Sequence, residues 1–349
     1  MPAKLTTLLI GCALLAGCYS NPYYNPARHH HTPQGFSNNY TDELALRGNF
    51  LKWRWQRLWQ DVPPSDTVPE TVKPDTAFLK NNRSQNTLTW IGHSTLLLQL
   101  NGVNILTDPV FSQRASPFSF IGPKRRVPVP MTIAELPHID IVVISHDHYD
   151  HLDADSVDVL NAQAGGPPRF FVPLGLKPWF AARGILAVEE MDWWEHQDYK
   201  GLTVHFTPAQ HWSARRLFQR NRTLWGSWTI VAPRFRFFFA GDTGYSPDFQ
   251  DIGKKLGPFD LAALPIGAYE PRWFMHAQHI NPGEAVKISQ DLHARHAVAI
   301  HWGTFPLSDE ALDQPPRDLA QARANAGVEA ERFFLIKHGE TRTLDLLKP

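Results

Sequence analysis

Residues 140–153 read DIVVISHDHYDHLD. Asp140 to Ser145 is a short, mostly β-branched run, the composition of a buried strand. It delivers the chain directly into His146, Asp147, His148, Tyr149, Asp150 and His151, and Asp153 then stands where a helix cap is wanted. Side chains alternate along extended backbone, so His146 and His148 project to one side. Asp150 and His151 follow once the chain turns toward the helix. Two imidazoles can then face one ion, and a carboxylate with an imidazole the next. A lone His-x-His is weak evidence of metal; four ligands leaving one strand end are much stronger.

Further candidates stand at strand ends downstream. His211 follows a strand ending near Phe206 and a Thr-Pro-Ala-Gln turn, Asp242 lies in FRFFFAGDTG, and His301 lies in AVAIHWG. The two cysteines are Cys12 and Cys18, both at the extreme N-terminus. Thiolate sites are therefore excluded from the body of the chain, leaving imidazole and carboxylate ligands.

The ligand order resembles that of the metallo-β-lactamase superfamily. The resemblance implies an α/β (α+β) four-layer αββα sandwich. It also implies two zinc ions, one on His146, His148 and His211, the other on Asp150, His151 and His301, with Asp242 between them. Iron or manganese would suit the same nitrogen and oxygen ligands. Two such ions hold a bridging water and lower its pKa toward neutrality, with Asp150 orienting the hydroxide and taking its proton.

The periodicity agrees with two sheets. Short β-rich runs occur at 88–92, 95–100, 103–107, 139–145, 169–172, 202–206, 227–232, 235–240, 261–265, 297–301 and 333–336. Helical patterns occur at 154–164, 281–293 and 316–326. Strand clusters with interspersed helices, and no internal linker from residue 86 to 349, predict one domain of packed sheets with helices outside.

The stretches between ligands narrow the resemblance. TWIGHSTLLLQL, LTDPVFSQRASP, IGPKRR, QHWSARR, LWGSW, AGDTGYSPDF, LPIGAYEPRWFM, QHINPGEAV and IHWGTF resemble the N-acylphosphatidylethanolamine-hydrolysing phospholipase D family over about residues 85–345. That implies hydrolysis of an N-acylated phosphatidylethanolamine to phosphatidic acid and an N-acylethanolamine, at a membrane surface. It also implies roles at the reacting phosphate for His279 and Tyr149, with Asp150 catalytic as well as ligating. Asp147 stands where the animal enzymes carry asparagine, a departure expected on the solvent side of the loop. His93 is either near the site or a turn histidine tying down backbone. Arg215 and Arg216, with Arg220 and Arg222, form a basic group suited to substrate phosphate, and Lys124, Arg125 and Arg126 form a second; solvated loop charge is the competing reading. Phe180, Trp193, Trp194, Leu217, Phe218, Trp273 and Phe274 either line an acyl-chain entrance or pack. A soluble-substrate lactonase or phosphodiesterase of the same fold, and a non-catalytic metal-binding surface lipoprotein, are the alternatives.

The N-terminus carries a different signal. Lys4 followed by the apolar run Leu5 to Leu15 has the length of an export signal rather than a membrane span. Leu15-Ala16-Gly17-Cys18 resembles a bacterial lipobox, implying a signal peptide over 1–17, acylation of Cys18 and anchoring in the cell envelope, with Tyr19 pointing to the outer membrane. Residues 18–40, rich in Asn, Pro, Tyr and His, are expected to form a flexible tether, with His29 to His31 solvated. Residues 41–85 are expected to hold a helix and an extended segment, with Thr41 as N-cap and Phe50, Leu51, Trp55, Leu58 and Trp59 on one face, docked on the core or at a membrane interface. The chain of 349 residues balances 34 basic against 34 acidic residues, so no global field recruits nucleic acid. Sequence leaves the oligomeric state open.

Overall fold

The computed structural model describes residues 20–40, 49–57, 68–216 and 219–344. The leader, Cys18, the Thr41 cap, Leu58, Trp59, Leu217 and Phe218 lie outside the described residues.

In chain order the first half runs β1 (His31–Thr32), β2 (Gly35–Phe36), α1 (Asn49–Arg57), α2 (Thr76–Asn81), β3 (Thr87–Gly92), β4 (Thr95–Leu100), β5 (Val103–Thr107), β6 (Ile141–Val143), α3 (Ala154–Asn161), β7 (Arg169–Pro173), α4 (Lys177–Ala181) and β8 (Val188–Met191). The second half runs β9 (His196–Tyr199), β10 (Leu202–Thr207), β11 (Ser227–Ala232), β12 (Phe235–Phe239), α5 (Asp248–Leu256), β13 (Leu261–Pro265), α6 (Arg272–Met275), α7 (Pro282–Asp291), β14 (His296–Ile300), α8 (Gln314–Ala326), β15 (Phe333–Phe334) and β16 (Thr341–Thr343). Two seven-stranded mixed sheets result, ordered β16-β3-β4-β5-β6-β7-β8 and β15-β14-β13-β12-β11-β10-β9.

Alternation along the strands builds the layers. Leu96, Leu98, Leu100, Ile105, Ile141 and Val143 face inward and meet Val204, Phe206, Trp228, Phe237, Phe239 and Val298 from the other sheet. The intervening residues Leu97, Leu106, Val142 and Phe170 face outward, onto Leu152, Val157 and Leu160 at and before α3. Phe238, Ala262, Leu264 and Ala299 likewise cover Phe249 and Ile252 of α5, Ile288 of α7 and Leu319 of α8. Both sheets are therefore apolar on two faces, which requires helices on each outer side. Each Leu or Phe fully buried on such a face is worth about 1.5–3 kcal/mol relative to leaving it exposed. The αββα sandwich follows.

The structure differs from the expectation at residues 20–40. This segment is not a tether: it lies against the domain as a strap, with Asn21, His30, His31 and Phe36 buried. Its side chains find partners that a solvated linker lacks. Asn21 Nδ2 donates to Thr32 O and Gly35 O at 3.1 and 2.8 Å, closing the β1–β2 hairpin. His30 Nε2 and His31 Nε2 stand 2.6 and 3.0 Å from the two carboxylate oxygens of Asp192, and His30 stacks on Trp193. Gly35, at φ +150°, brings its backbone so close to Asn221 that a Cβ there would lie 2.0 Å from the Asn221 carbonyl oxygen.

α1 docks through Trp53, which is buried against Phe274 and Met275, while Trp55 stays exposed. No helix among the described residues is long and apolar enough to cross a membrane.

Candidate metal centre

The strand β6 ends at Val143, and the chain enters the site through Ser145, whose backbone N–H donates to Asp108 Oδ1 at 2.7 Å. Across from it, β12 ends at Phe239 and turns at Gly241, φ +62°, where a Cβ would lie 2.6 Å from the Ser145 Cβ. Only glycine permits that approach, which sets Asp242 beside the His146 loop. β14 ends at Ile300 and delivers His301, itself at φ +61°.

The structure brings together His146, His148, Asp150, His151, His211, Asp242 and His301 in two adjoining groups. His146 Nε2 and His211 Nε2 lie 2.9 and 3.3 Å from His148 Nδ1. Asp150 Oδ2 lies 3.4 Å from His151 Nε2 and 3.6 Å from His301 Nε2. Asp242 stands between the groups: Oδ2 is 3.1 Å from His151 Nε2 and 3.9 Å from His211 Nε2, and Oδ1 is 3.0 Å from His301 Nε2.

These residues fit metal ions. His151 Nε2, His301 Nε2 and Asp242 Oδ1 are buried with one another and the Asp150 and Asp242 carboxylates as near polar neighbours and no well-formed hydrogen bond. His148 turns Nδ1 to the Nε2 atoms of His146 and His211. Clustered buried acceptors of this kind are costly unless a cation or protons join them. The field among them selects positive charge. Burial works against charge on His301, yet Asp242 and Asp150 raise its imidazole to about 9; His151 is likewise raised well above its usual range despite burial. Asp150 and Asp242 are held well below the carboxylate range, burial being outweighed chiefly by His151. Oxygen and imidazole ligands of this kind suit zinc, iron or manganese. By contrast, the His30, His31 and Asp192 cluster is closed by its own hydrogen bonds.

A second ring of contacts orients the ligands, and sequence reasoning missed most of it. Asp108 Oδ2 accepts from Ser145 Oγ at 2.5 Å and stands 2.7 Å from His151 Nδ1. His211 Nδ1 stands 2.9 Å from the Gln278 carbonyl oxygen. Asn38, from the strap, binds the backbone of His211 on both sides. The imidazole of His93 is near the site, its Nε2 3.1 Å from Asp150 Oδ2, while its main-chain carbonyl accepts from Trp90 Nε1 and from the His301 N–H. The signal for Asp108 was an acid closing the apolar run VNILTDPV; Asn38 left none, because its segment has no periodicity.

His279 reaches the cage. Its Nδ1 is buried, without a hydrogen-bond partner, 3.8 Å from Asp242 Oδ2, and burial lowers its imidazole to about 4. Tyr149 and Arg215, expected at the substrate, support the loop and also line a cavity beside it. Tyr149 Oη donates to the Arg215 carbonyl at 2.7 Å. Arg215 Nη1 donates to the carbonyls of Asp147 and Leu152 at 3.0 and 2.7 Å, and its guanidinium stacks on Tyr149 and Trp179. Arg216 is exposed beside a groove lined by Trp179, Gly175 and Arg222.

Asp147 is not on the solvent side. It is buried, bonded to Thr223 Oγ1 at 3.0 Å, and burial raises its carboxyl to about 6. Arg125 is buried too, donating to the Val110 carbonyl at 2.6 Å under the ring of Phe305, so the basic rim there is Lys124 and Arg126 alone. Of the aromatic candidates, Phe180, Trp193 and Phe274 are buried in the core clusters, Trp194 packs beneath Lys255, and Trp273 is exposed.

Comparison with known proteins accords with this geometry. The family described as "Beta-lactamase superfamily domain" matches residues 103–302. The chain is 49% identical over 267 residues to N-acyl-phosphatidylethanolamine-hydrolyzing phospholipase D 1 of Caenorhabditis elegans, covering 72% of this chain and 74% of that one. It is 38% identical over 264 residues to the mitochondrial N-acyl-phosphatidylethanolamine-hydrolyzing phospholipase D of Saccharomyces cerevisiae, covering 74% of this chain and 56% of the yeast protein. Among solved structures, Igni18, a metallo hydrolase of Ignicoccus hospitalis, superposes with a TM-score of 0.58 at 24% identity, over 74% of this chain and 98% of that one. With its two-sheet sandwich and histidine-aspartate cage, the chain belongs to the metallo-β-lactamase superfamily, as a metal-dependent hydrolase homologous to the N-acylphosphatidylethanolamine-hydrolysing phospholipases D.

Proposed function

We propose that this protein is a phosphodiesterase of phospholipase D type that hydrolyses N-acylphosphatidylethanolamine with two zinc ions, giving phosphatidic acid and N-acylethanolamine. The observation that carries the reading is the complete cage inside a stretch 49% identical to a relative bearing that name. His146, His148 and His211 would hold one ion, and Asp150, His151 and His301 the other, with Asp242 shared. The ions would supply Lewis-acid activation of water and charge neutralisation at the phosphate.

The chain's own residues do the rest. Water adds to phosphorus and the P–O bond to the ethanolamine oxygen breaks, so one proton must leave the water and one must reach the departing alkoxide. Asp150 Oδ2, ionised and facing the second ligand group, is placed to accept the first. His279 is neutral through burial, with Nδ1 uncommitted among the described contacts, so it would act as a relay, taking up on one ring nitrogen the proton that came from the water and giving the proton on its other nitrogen to the departing alkoxide. The buried Asp108 holds His151 in one tautomer, which keeps its Nε2 turned to the cage. The substrate is a membrane lipid, so the protein works at a bilayer surface; Cys18, if acylated, would anchor it in the bacterial envelope, at the outer membrane.

The test is hydrolysis of N-acylphosphatidylethanolamine in mixed micelles by zinc-loaded protein beginning at Tyr19, beside Asp242→Asn and His148→Ala. Release of N-acylethanolamine by the wild type and not by the variants is expected. Zinc binding without release, together with turnover of a soluble phosphodiester or lactone, would overturn the lipid assignment.

A further inference from the structure

Residues 113–125 form a narrow loop beside the metal loop, and its tip is apolar and open. Phe118, Phe120 and Ile121 are 54%, 76% and 58% exposed, and the two phenyl rings stand 5.5 Å apart. Contiguous exposed apolar side chains at a loop tip are uncommon without a partner.

The tip is held rather than loose. Arg114 Nε and Nη1 donate to the carbonyls of Ser119 and Gly122 at 3.0 and 2.6 Å. Phe118 N donates to Ser116 Oγ at 3.2 Å. The two arms pair at Arg114 and Lys124, with Ala115 N on Pro123 O at 3.1 Å and Arg125 N on Gln113 O at 2.9 Å. At the base, Asp153 Oδ2 accepts from Ser112 N at 3.1 Å, which ties the loop to the chain just past His151. Phe118, Arg114, Tyr149 and Arg215 all line one cavity of about 260 Å³.

Charge identifies the occupant. No Asp or Glu occurs between Asp108 and Glu135, and Lys124 and Arg126 are exposed at the loop's base. Asp153 and Asp155 border the cavity together with Arg114 and Arg215, so the cavity itself is balanced and the surplus positive charge lies with Lys124 and Arg126. Ile121 and Phe120 lie three and four residues from Lys124, a reach of at most about 10–14 Å. That matches the depth from headgroup phosphates to the acyl boundary, roughly 5–10 Å. A second protein copy would need about 800 Å² per partner, far more than three side chains present.

We propose that the tip Phe118 to Ile121 is a wedge that inserts into an anionic lipid surface, with Lys124 and Arg126 at the headgroups, and so sets the mouth of the metal centre on the bilayer. The inference rests on the reading of the substrate as a membrane phospholipid. Each tip side chain transferred from water contributes on the order of tenfold in partitioning, and each cation roughly fivefold at an anionic surface, lost with added salt.

The experiment is co-sedimentation with large unilamellar vesicles of phosphatidylcholine containing about a third phosphatidylglycerol, or none, using the full-length chain and, in parallel, the chain from Tyr19, which keeps every residue of the strap. The expected result is that the shorter chain binds the anionic vesicles, that Phe120→Ser weakens binding about tenfold, and that Phe118→Ser/Phe120→Ser/Ile121→Ser weakens it further with unchanged thermal melting. Lys124→Gln/Arg126→Gln should remove the preference for phosphatidylglycerol. Equal binding by wild type and Phe120→Ser, or no binding by the wild type, overturns the wedge. A dimer dispersed by the same substitutions overturns it in favour of self-association. Turnover in mixed micelles separates this from the substrate assignment: loss of vesicle binding with intact micellar hydrolysis supports the wedge, whereas tip-dependent binding without N-acylethanolamine release leaves the wedge standing and removes the assigned substrate.

Discussion

Asn38 and His211 are joined as two strands would be: Asn38 Nδ2 donates to the His211 carbonyl at 2.9 Å, and Asn38 Oδ1 accepts from the His211 N–H at 3.0 Å. The same Oδ1 also accepts from Trp225 Nε1 at 3.0 Å. A residue 173 positions away in sequence thus fixes the backbone of a candidate metal ligand.

Asn38→Ala should therefore weaken metal binding as well as folding. Leaving the buried His211 amide and carbonyl under-satisfied costs about 1–3 kcal/mol, and loss of such outer support typically lowers metal affinity about 10–100-fold. Competition with a chromophoric chelator measures the second effect and a thermal melt the first. Asn38→Asp keeps the acceptor but not the donor, so an intermediate affinity is expected; wild-type affinity in Asn38→Ala would show that the strap is only packing.

Asp108 makes a parallel case from inside the core. It is fully buried, and burial drives its carboxyl upward, while His151 and Ser145 counter that rise. Asp108→Asn preserves volume but weakens the hold on His151 Nδ1, so metal affinity should fall about 10–100-fold. Metal content after dialysis against limiting chelator reports it directly, and an unchanged content would deny Asp108 an orienting role.

The cage and the sandwich were legible in sequence for one physical reason. Strands apolar on both faces leave a strong local signal, and three of the seven candidate ligands stand where such a run stops: His146 after IVVIS, Asp242 after FRFFFAG, His301 after AVAI. β8, β9 and β16 were not legible, because VEEM, HQDY and TRT carry the polar residues of sheet edges. The strap was misread because its order comes from long-range side-chain contacts, and composition reports only local tendencies. Asp147 and Arg125 were misplaced on the surface for the same reason. Charged residues are buried where backbone carbonyls or hydroxyls receive them, and those partners come from distant segments.

The strap is latched by a carboxylate, which gives its attachment a pH dependence. Burial works against the charge on Asp192, but His30 and His31 hold its carboxyl below the usual range. A depressed carboxylate stabilises the folded arrangement above its unfolded pKa, and that contribution is lost as pH falls through the folded value. The strap should release below about pH 4. Limited proteolysis by an acid-active protease should then cut within residues 21–40 before the sandwich unfolds. Asp192→Asn should be cut at neutral pH as well, and Gly35→Ala, which drives a methyl group into the Asn221 carbonyl, should behave alike. Protection that persists in Asp192→Asn would place the latch elsewhere.

His279 Nδ1 lies 3.8 Å from Asp242 Oδ2, farther than the Nε2 atoms of His151 and His301 lie from that carboxylate, and its chain segment is set by a separate clasp. Arg272 Nη1 donates to the His279 carbonyl at 2.9 Å, and Arg272 Nη2 donates to Glu284 Oε1 and Oε2 at 3.0 and 2.8 Å. Asn281 caps α7 through the Glu284 N–H at 2.8 Å. His279→Gln keeps a polar side chain on this rigid support but removes the imidazole that passes a proton. The expected outcome is a fall in kcat of about 10²–10⁴-fold with metal content unchanged. Loss of metal along with activity would instead make His279 a ligand, and retention of both would remove it from the chemistry. Arg272→Met is the companion variant: it frees the His279 backbone while sparing the ring, so it should lower kcat less than His279→Gln does and leave the pH profile of the residual rate unaltered.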